Sequence, residues 1–391
     1  MEKEKLKEIV ENTISGEWGT EEKKDENDIF VIRTADFFND GRINYNNVIK
    51  RNIAKRKIEE KSLKIGDIIV EKSGGTDKNP VGRVVLFERE NYKGLANNFT
   101  QVLRIKKEYY YKFIFYQLLY KYKNGSTLQM FNKTTGIQNL QMKLYLNQEL
   151  NVCDKKEQIK ISNLLDKVQE IIDISEKQVE HLDELIKSQF VEMFENENKY
   201  VNLEDVCVFI NGDRGKNYPS ADKISKDPSG IPFINAGLLI NNTVDWKNMN
   251  YISEDTYNKL GSGKIQKEDI LYCLRGSLGK HSIIDFDGKG AIASSLVILR
   301  ADKSKIQPDF LLIQLGMDEI LRQQNQANNG SSQPNLSAGS VKKYIIKLPS
   351  LELQNKFAEF VKQVDKQKFE IQKSLNEMKE LQESLMNKYF G

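Results

Sequence analysis

Residues 154–194 read DKKEQIKISNLLDKVQEIIDISEKQVEHLDELIKSQFVEMF, and residues 350–390 follow the same pattern as SLELQNKFAEFVKQVDKQKFEIQKSLNEMKELQESLMNKYF. When the two segments are aligned, Gln158 meets Gln354, at a displacement of 196 positions in a chain of 391 residues. The same displacement aligns further identical pairs, namely Val168 with Val364, Leu185 with Leu381, and Phe194 with Phe390. The chain is therefore a tandem duplication, and each half ends in the same kind of segment.

Apolar residues in both segments recur alternately every three and four positions, which is the heptad spacing of a coiled-coil helix. The seam of the first copy consists of Leu165, Val168, Ile172, Ser175, Val179, Leu182, Ile186, Gln189 and Met193, and the second seam lies 196 positions later. Neither segment contains proline or glycine. We expect two helices of roughly 40 residues, each about 60 Å long at ~1.5 Å per residue. A single helix cannot bury such a stripe, so each needs a partner.

The most direct partner of each helix is its copy. Helix one leads from the first globular half to the second, so the two helices must run antiparallel if they pair within one chain. The alternative is that each helix packs separately on its own domain. We therefore predict a mixed α/β fold with two tandem domains and two long helices. The predicted segments are a first domain over 1–153, a first helix over 154–194, a second domain over 195–349 and a second helix over 350–391.

The composition predicts a soluble protein, since 39% of the residues are hydrophobic and 29% are charged, with a net charge of +3. No apolar run approaches the ~18 residues of a membrane span. Three cysteines, an odd number without a CxxC pair, favour a reducing cytoplasm over a disulfide framework. Two histidines are too few for a His-rich metal site, and we expect no metal in this chain. The basic excess of the globular halves is too small to establish a polyanionic partner by itself.

The globular halves are duplicated as well, although less evenly than the helices. Their matched positions are Asp67 with Asp269, Gly82 with Gly279, and Leu103-Arg104 with Leu299-Arg300. The displacement falls from 202 to 197 between the first two pairs, so the first half has five extra residues in the loop 74–80. Scaffold positions match whereas loops differ, which favours two domains that read different targets on a common frame. At the N-terminus, residues 2–11 predict a short helix.

The sequence contains no catalytic motif that we recognise. A P-loop would need a glycine at position 274 and a serine or threonine at position 281, but Leu274 and His281 stand there. The chain also lacks a G-x-S-x-G elbow, paired CxxC ligands and the Asn/Asp-Pro-Pro-Tyr/Phe tetrapeptide of amino-methyltransferases. The sequence therefore predicts a protein that is not an enzyme.

Two equivalent loops between predicted strands, residues 72–75 and 275–280, combine small residues with Lys or Arg. Small residues let backbone N–H groups approach an anion, and Arg and Lys contact phosphates or guanine edges. The alternative is a hairpin in which the glycines serve turn geometry. The polar stretches 132–139 and 323–335 also correspond. Their side chains can contact the edges of DNA bases, or the stretches can be ordinary solvated loops between elements. The basic segment 50–57 favours phosphate contact, or else a solvated helix face.

These features occur in the same order in both halves of the chain, and this repeated order resembles the specificity subunit of type I restriction–modification systems. The strand-loop-strand segments 66–87 and 268–286 carry the resemblance, together with the long helices. Gln138-Asn139-Leu140 and Gln333-Pro334-Asn335-Leu336 resemble the QxNL-type segment of that family, and residues 348–354 resemble its Pro-Leu…Gln lead-in to the second conserved helix. The resemblance covers essentially the whole chain. It departs in residues 151–154, which lack the usual proline, and in the shifted first QxNL-type match.

The resemblance implies two target-recognition domains that read a bipartite site in double-stranded DNA with an unread spacer between the half-sites. It implies that the long helices act as a ruler and dock two adenine methyltransferase subunits, to which restriction and translocase subunits can be added. S-adenosylmethionine, ATP and Mg²⁺ would then belong to the partners, and this chain would hold no cofactor. Apolar residues beside the seam suit partner helices or contact with the domains; they are Leu164, Ile171, Leu185, Phe360 and Leu381.

We predict DNA contacts from the basic and polar residues of these loops and segments. They are Lys50, Arg51, Lys55, Arg56, Lys72, Ser73, Gly74, Lys78, Arg83, Lys133, Thr134, Gln138, Arg214, Lys216, Arg275, Ser277, Lys280, Gln323, Asn325, Ser331 and Gln333. The alternative function is a non-catalytic coiled-coil scaffold that joins other proteins without reading DNA. An unrecognised nuclease or methyltransferase is a third hypothesis, against which the missing motifs argue.

Overall fold

The computed structural model describes residues 2–134, 136–240, 242–327 and 335–391. The chain forms two compact units. Unit 1 consists of Met1–Lys177 with Gln372–Gly391, and unit 2 consists of Gln178–Ile371. Each unit thus takes one globular half together with a part of each long helix.

The first half is built from short strands and short helices. The strands are β1 Glu2–Lys5, β2 Val10–Ser15, β3 Asp28–Ile32, β4 Ile49–Asn52, β5 Ile68–Glu71, β6 Ser73–Gly74, β7 Val84–Leu86, β8 Gly94–Ala96, β9 Thr100–Ile105, β10 Phe131–Thr134, β11 Ile137–Leu140 and β12 Glu149–Val152. The helices are α1 Leu6–Ile9, α2 Lys55–Lys61, α3 Tyr111–Lys123 and α4 Met142–Asn147, and the long helix α5 Lys155–Phe194 follows.

The second half repeats much of this order of elements. Its strands are β13 Tyr200–Asn202, β14 Cys207–Asn211, β15 Ile231–Ile234, β16 Leu239–Ile240, β17 Thr243–Val244, β18 Tyr251–Ile252, β19 Ile270–Cys273, β20 His281–Ile283, β21 Ala291–Ile292, β22 Leu296–Ala301 and β23 Ile345–Lys347. Its helices are α6 Glu254–Lys259, α7 Pro308–Leu315, α8 Asp318–Ala327, α9 Ala338–Lys342 and α10 Leu351–Phe390.

The two larger sheets of unit 1 each have an equivalent in unit 2. Unit 1 has a four-stranded antiparallel sheet in the order β2-β9-β5-β7, and unit 2 has its equivalent in the order β14-β22-β19-β20. Each unit adds a three-stranded sheet, β4-β3-β8 or β18-β15-β21, with one parallel pair. The central strands β5 and β19 are buried along their whole length, and apart from Glu71 at the end of β5 their residues are apolar or aromatic. The predicted duplication of the globular halves is confirmed.

The two long helices form as the heptad spacing predicts. Every predicted seam position of α5 and α10 is buried or half-buried. In unit 1, Gln382 of α10 donates to Gln169 of α5 at 2.8 Å. In unit 2, Lys368 of α10 pairs with Asp183 of α5 at 2.5 Å. Residue numbers fall along α10 as they rise along α5, so the helices pack antiparallel, as predicted.

Several residues shared by the two halves have the same structural role in each unit. The side-chain oxygen of Gln158 accepts the N–H of Tyr110 at 2.8 Å, and that of Gln354 accepts the N–H of Gln307 at 2.8 Å. Both glutamines lie buried in the first turn of their long helix and fasten it to its globular half. Buried polar groups need such partners, which explains why these residues recur.

A buried ion pair recurs in the same way. Asp67 binds Arg104 through two hydrogen bonds of 2.9 and 2.7 Å, and Asp269 binds Arg300 through two of 2.8 Å. Both carboxylates are almost fully buried. Each pair links the start of a central strand to its neighbour in the sheet.

The helix predicted over residues 2–11 is wrong for most of its length. Only Leu6–Ile9 is helical, because β1 pairs with β12 and β2 pairs with β9. Both partners lie about a hundred or more residues away in sequence, so the local charge pattern carries no sign of them. Among the described residues, no helix is both long enough and apolar enough to span a membrane.

Candidate nucleic-acid interface

A small sheet of unit 1 brings together two stretches that the sequence suggested separately. Strand β11 lies between β10 and β6, so that Asn139 faces Ser73 and Gln138 faces Gly74. The Ser73 hydroxyl donates to Oδ1 of Asn139 at 2.6 Å. Lys133 lies opposite Gln138 in the same sheet. Ser73, Gly74 and Lys133 are therefore neighbours, as a common binding surface requires, whereas Gln138 lies in the same sheet with its side chain buried.

The backbone around Gly74 uses conformations that favour glycine. Gly74 has a φ of 110°, and Gly75 has a φ of 58°. A Cβ atom at Gly75 would lie 2.8 Å from the backbone nitrogen of Val81. The glycines therefore serve turn geometry, which was the alternative interpretation. This does not exclude contact with a ligand, since Ser73 and Gly74 remain half-exposed.

Lys72 lies beside this sheet and points back to the end of β2. Its Nζ donates to Oγ of Ser15 at 2.8 Å. Burial lowers the pKa of Lys72, and nearby Lys61 lowers it further. A cation with a neutral partner and a cationic neighbour is electrostatically unsatisfied, so an added phosphate would be favourable there.

The loop 74–80, where the first half has its insertion, is exposed at Lys78. Asp77 of this loop pairs with Lys133 at 2.9 Å. The insertion thus reaches the β10-β11 hairpin and extends the same surface.

Two predicted contacts have partners inside the fold instead. Arg83 pairs with the buried Glu71 at 2.7 Å and donates to the carbonyl of Thr34 at 3.0 Å. Burial raises the pKa of the Glu71 carboxyl, and the Arg83 ion pair opposes that rise. Gln138 is buried, and its side-chain oxygen accepts the N–H of Val81 at 3.1 Å. These contacts favour scaffold roles for both residues.

The basic segment 50–57 is divided between two elements rather than lying on one helical face. Lys50 and Arg51 belong to β4, where the Arg51 guanidinium lies 4.6 Å from the centre of the Trp18 ring. Lys55 and Arg56 begin α2 and are exposed, with Arg56 paired to Glu60 at 2.7 Å.

Unit 2 repeats the contacts between this loop and the described part of its QxNL-type segment, Asn335 and Leu336. Arg275 forms a β-bridge with Asn335, as Ser73 pairs with Asn139 in unit 1. Leu336 donates its N–H to the carbonyl of Leu274 at 2.8 Å. Arg275 and its neighbours Ser277 and Lys280 are exposed.

The loop with Arg214 and Lys216 is organised by a carboxylate that the sequence did not single out. Asp213 accepts the N–H groups of Gly215 and Gly261, each at 2.8 Å, and these bonds lower its pKa. Arg214 donates to the carbonyl of Ser294 at 3.3 Å, and Lys216 is exposed.

The remaining predicted contacts fall into three groups. Gln323 is bound on both sides of its amide to the backbone of Ile345, at 2.8 and 2.9 Å, which favours a scaffold role. Asn325 is exposed on α8. Ser331 and Gln333 lie outside the described residues, and Thr134 is described only by its backbone in β10. All of these residues remain predicted DNA contacts.

Sequence reasoning missed the turn that carries Phe99. Its carbonyl accepts the N–H groups of Lys72 and Ser73 at 2.9 and 3.1 Å, so the turn lies against the candidate surface. The only signal was an aromatic residue in the polar run Asn97-Asn98-Phe99-Thr100. Over residues 2–134, 136–240, 242–327 and 335–391, no group of three His, Cys, Asp or Glu side chains is suited to hold a metal ion.

The comparisons with known proteins agree with this architecture. The model of the type I restriction modification DNA specificity domain matches residues 1–184 and 195–381. The type I restriction–modification system S subunit from M. genitalium is 17% identical, with a TM-score of 0.57 over 100% of this chain and 96% of that chain. A chain from a structure on complex assembly and conformational transition of the type I R-M system is 16% identical, with a TM-score of 0.58 over 100% and 97%. At these identities the two structures establish the fold. The family match covers both halves, and the chain belongs to the type I restriction–modification DNA specificity family.

Proposed function

We propose that each unit reads one half of a bipartite DNA target for a type I restriction–modification complex. The observation that supports this is that the two units keep the same backbone contacts at this loop but carry different side chains on it. The backbone contacts of the loop with Asn139-Leu140 in unit 1 recur with Asn335-Leu336 in unit 2, but the half-exposed Ser73 is exchanged for the exposed Arg275. A scaffold that only joined other proteins would not need two unlike exposed loops on one frame.

The chemistry of these loops suits duplex DNA. An arginine such as Arg275 can bind O6 and N7 of guanine through two hydrogen bonds, and exposed lysines such as Lys78 and Lys280 can contact phosphates. Binding that depends on phosphate contacts weakens steeply as salt rises. The proposal therefore includes specific binding with a strong salt dependence.

We further propose that the paired helices set the spacer length and dock two methyltransferase subunits. Leu164, Ile171 and Leu381 in unit 1 remain between 38 and 46% exposed, and Phe369 in unit 2 is 67% exposed. Apolar side chains in this number on helices favour a covering partner. The adenine methyltransferase, and any restriction and translocase activities with their S-adenosylmethionine, ATP and Mg²⁺, would reside on partner subunits. This chain would contribute recognition without catalysis. A DNA target and three free cysteines support a cytoplasmic location.

Methylome sequencing of a strain with and without this chain tests the proposal, in the presence of its methyltransferase partner. We expect N6-methyladenine at a bipartite motif that disappears when the chain is deleted. A methylome that stays the same, or a motif without two separated halves, would contradict it. Equal binding to all duplexes, or to none, would instead favour the scaffold alternative.

A further inference from the structure

Phe99 presents an exposed aromatic ring on a firmly held turn. The residue is 44% exposed, and its carbonyl accepts two N–H groups from the loop at Lys72. The turn is closed by Thr100, which donates to the carbonyl of Asn97 through its N–H at 3.0 Å and through its hydroxyl at 2.7 Å. The backbone beneath the ring is therefore fixed before any ligand binds.

The backbone at Gly16 lies close against the backbone of the same turn. A Cβ atom at Gly16 would lie 1.8 Å from the carbonyl oxygen of Asn97, so only glycine fits there. In unit 2 the matched Gly212 meets the carbonyl oxygen of Ala293, at 2.4 Å from the equivalent Cβ position. The frame around the turn is thus common to both units.

The aromatic ring is not part of that common frame. Ser295 occupies the matched position in unit 2, and its carbonyl accepts the N–H of Leu274 at 2.8 Å, as the carbonyl of Phe99 accepts that of Lys72. Serine therefore satisfies the fold at this position. The phenylalanine ring lies beside Lys72 and Ser73 and is not needed by the fold, so it is available for a contact outside the chain.

A phenyl ring has no hydrogen-bonding group, so it can read only an apolar feature of DNA. In the major groove that feature is the C5-methyl group of thymine. We propose that Phe99 contacts a thymine methyl in the half-site that unit 1 reads. Unit 2, with Ser295 at this position, makes no such contact. The inference rests on the proposed function and adds to it a specificity-determining residue and the base that it reads.

The test uses the complex assembled with its methyltransferase subunits. The DNA duplexes carry the bipartite motif that methylome sequencing identifies. Each thymine is replaced in turn by deoxyuridine, which removes only the methyl group. We expect one replacement to weaken binding about fourfold, the affinity equivalent of ~0.8 kcal/mol for one buried carbon. Phe99→Ser should bind the thymine duplex about fourfold more weakly and should no longer distinguish it from the deoxyuridine duplex. Phe99→Leu should retain part of the difference.

Phe38→Ser is the matched control, because Phe38 is 48% exposed in the same unit. This variant should keep the response to deoxyuridine. A response that persists in Phe99→Ser, or one that is lost equally in Phe38→Ser, would overturn the assignment. Specific binding without any methyl-sensitive thymine would also overturn it, as expected for a ring that only wedges between base steps. A complex without sequence-specific binding would instead contradict the proposed function itself, and this inference with it.

Discussion

In unit 1 the loop after the central strand presents the half-exposed Lys72 and Ser73 and has five additional residues before Gly82, whereas in unit 2 Leu274 is buried and Arg275 is exposed. Beneath these loops the two units keep the same contacts. A buried carboxylate binds an arginine across the central sheet, and a buried glutamine fastens each long helix to its globular half. The comparison separates residues that make the frame from residues that are free to read a target.

The largest expected effect is a change in the spacer of the recognised motif, and it comes from lengthening both long helices. Inserting four residues at matched positions in both α5 and α10 lengthens the pair by about 6 Å, or roughly two base pairs at ~3.4 Å each. We expect a methylated motif with the same half-sites and a longer spacer, measured by methylome sequencing of the insertion strain. Altered half-sites with the original spacer would contradict the ruler proposal. A strain with the insertion in only one helix is the control, since mismatched seams should abolish methylation.

The next largest effect is expected at the buried ion pairs. Asp67→Ala and Asp269→Ala each leave an arginine without its partner, at a cost of about 3 kcal/mol in the free energy of unfolding. Urea denaturation followed by circular dichroism would measure the loss. Asp77→Ala removes an exposed carboxylate and should leave stability unchanged. Equally small losses at all three positions would show that the shared pairs do not support the frame.

A smaller loss is expected at the matched glutamines. Gln158→Leu leaves the N–H of Tyr110 without its acceptor, and Gln354→Leu does the same to Gln307, so each should cost about 1–3 kcal/mol. Thermal unfolding would measure both variants against Gln178→Leu, which alters an exposed position of α5. A loss in only one of the two matched variants would break the equivalence of the units at the start of their helices.

The features that the sequence predicted are those that depend on local periodicity or on comparison of the two halves. The heptad spacing locates α5, α10 and their seam, and the duplication identifies Gln158 and Gln354 as equivalent positions. The roles of Arg83 and Gln138 could not be predicted from the sequence. Each was selected because its side chain suits DNA, but Arg83 binds Glu71 and Gln138 binds Val81, and both contacts form only in the folded chain.

The misassigned N-terminus and the missed turn have the same cause. Strand β1 owes its conformation to β12 and β2 owes its conformation to β9, and neither pairing is visible in a local pattern. Phe99 was not singled out because its position beside Lys72 results from another long-range pairing, that of β5 with β9. Residues that the two halves share could be recognised without a structure, whereas the exposed residues that distinguish them could not.

The most direct test of separate reading by the two units is the methylome of an Arg275→Ala strain. Loss of a bidentate contact to guanine is expected to cost about 1–3 kcal/mol at one base pair. We predict that one position of one half-site becomes degenerate, while the other half-site and the spacer stay unchanged. Relaxation of both half-sites together, or no change in either, would contradict the claim that each unit reads its own half of the target.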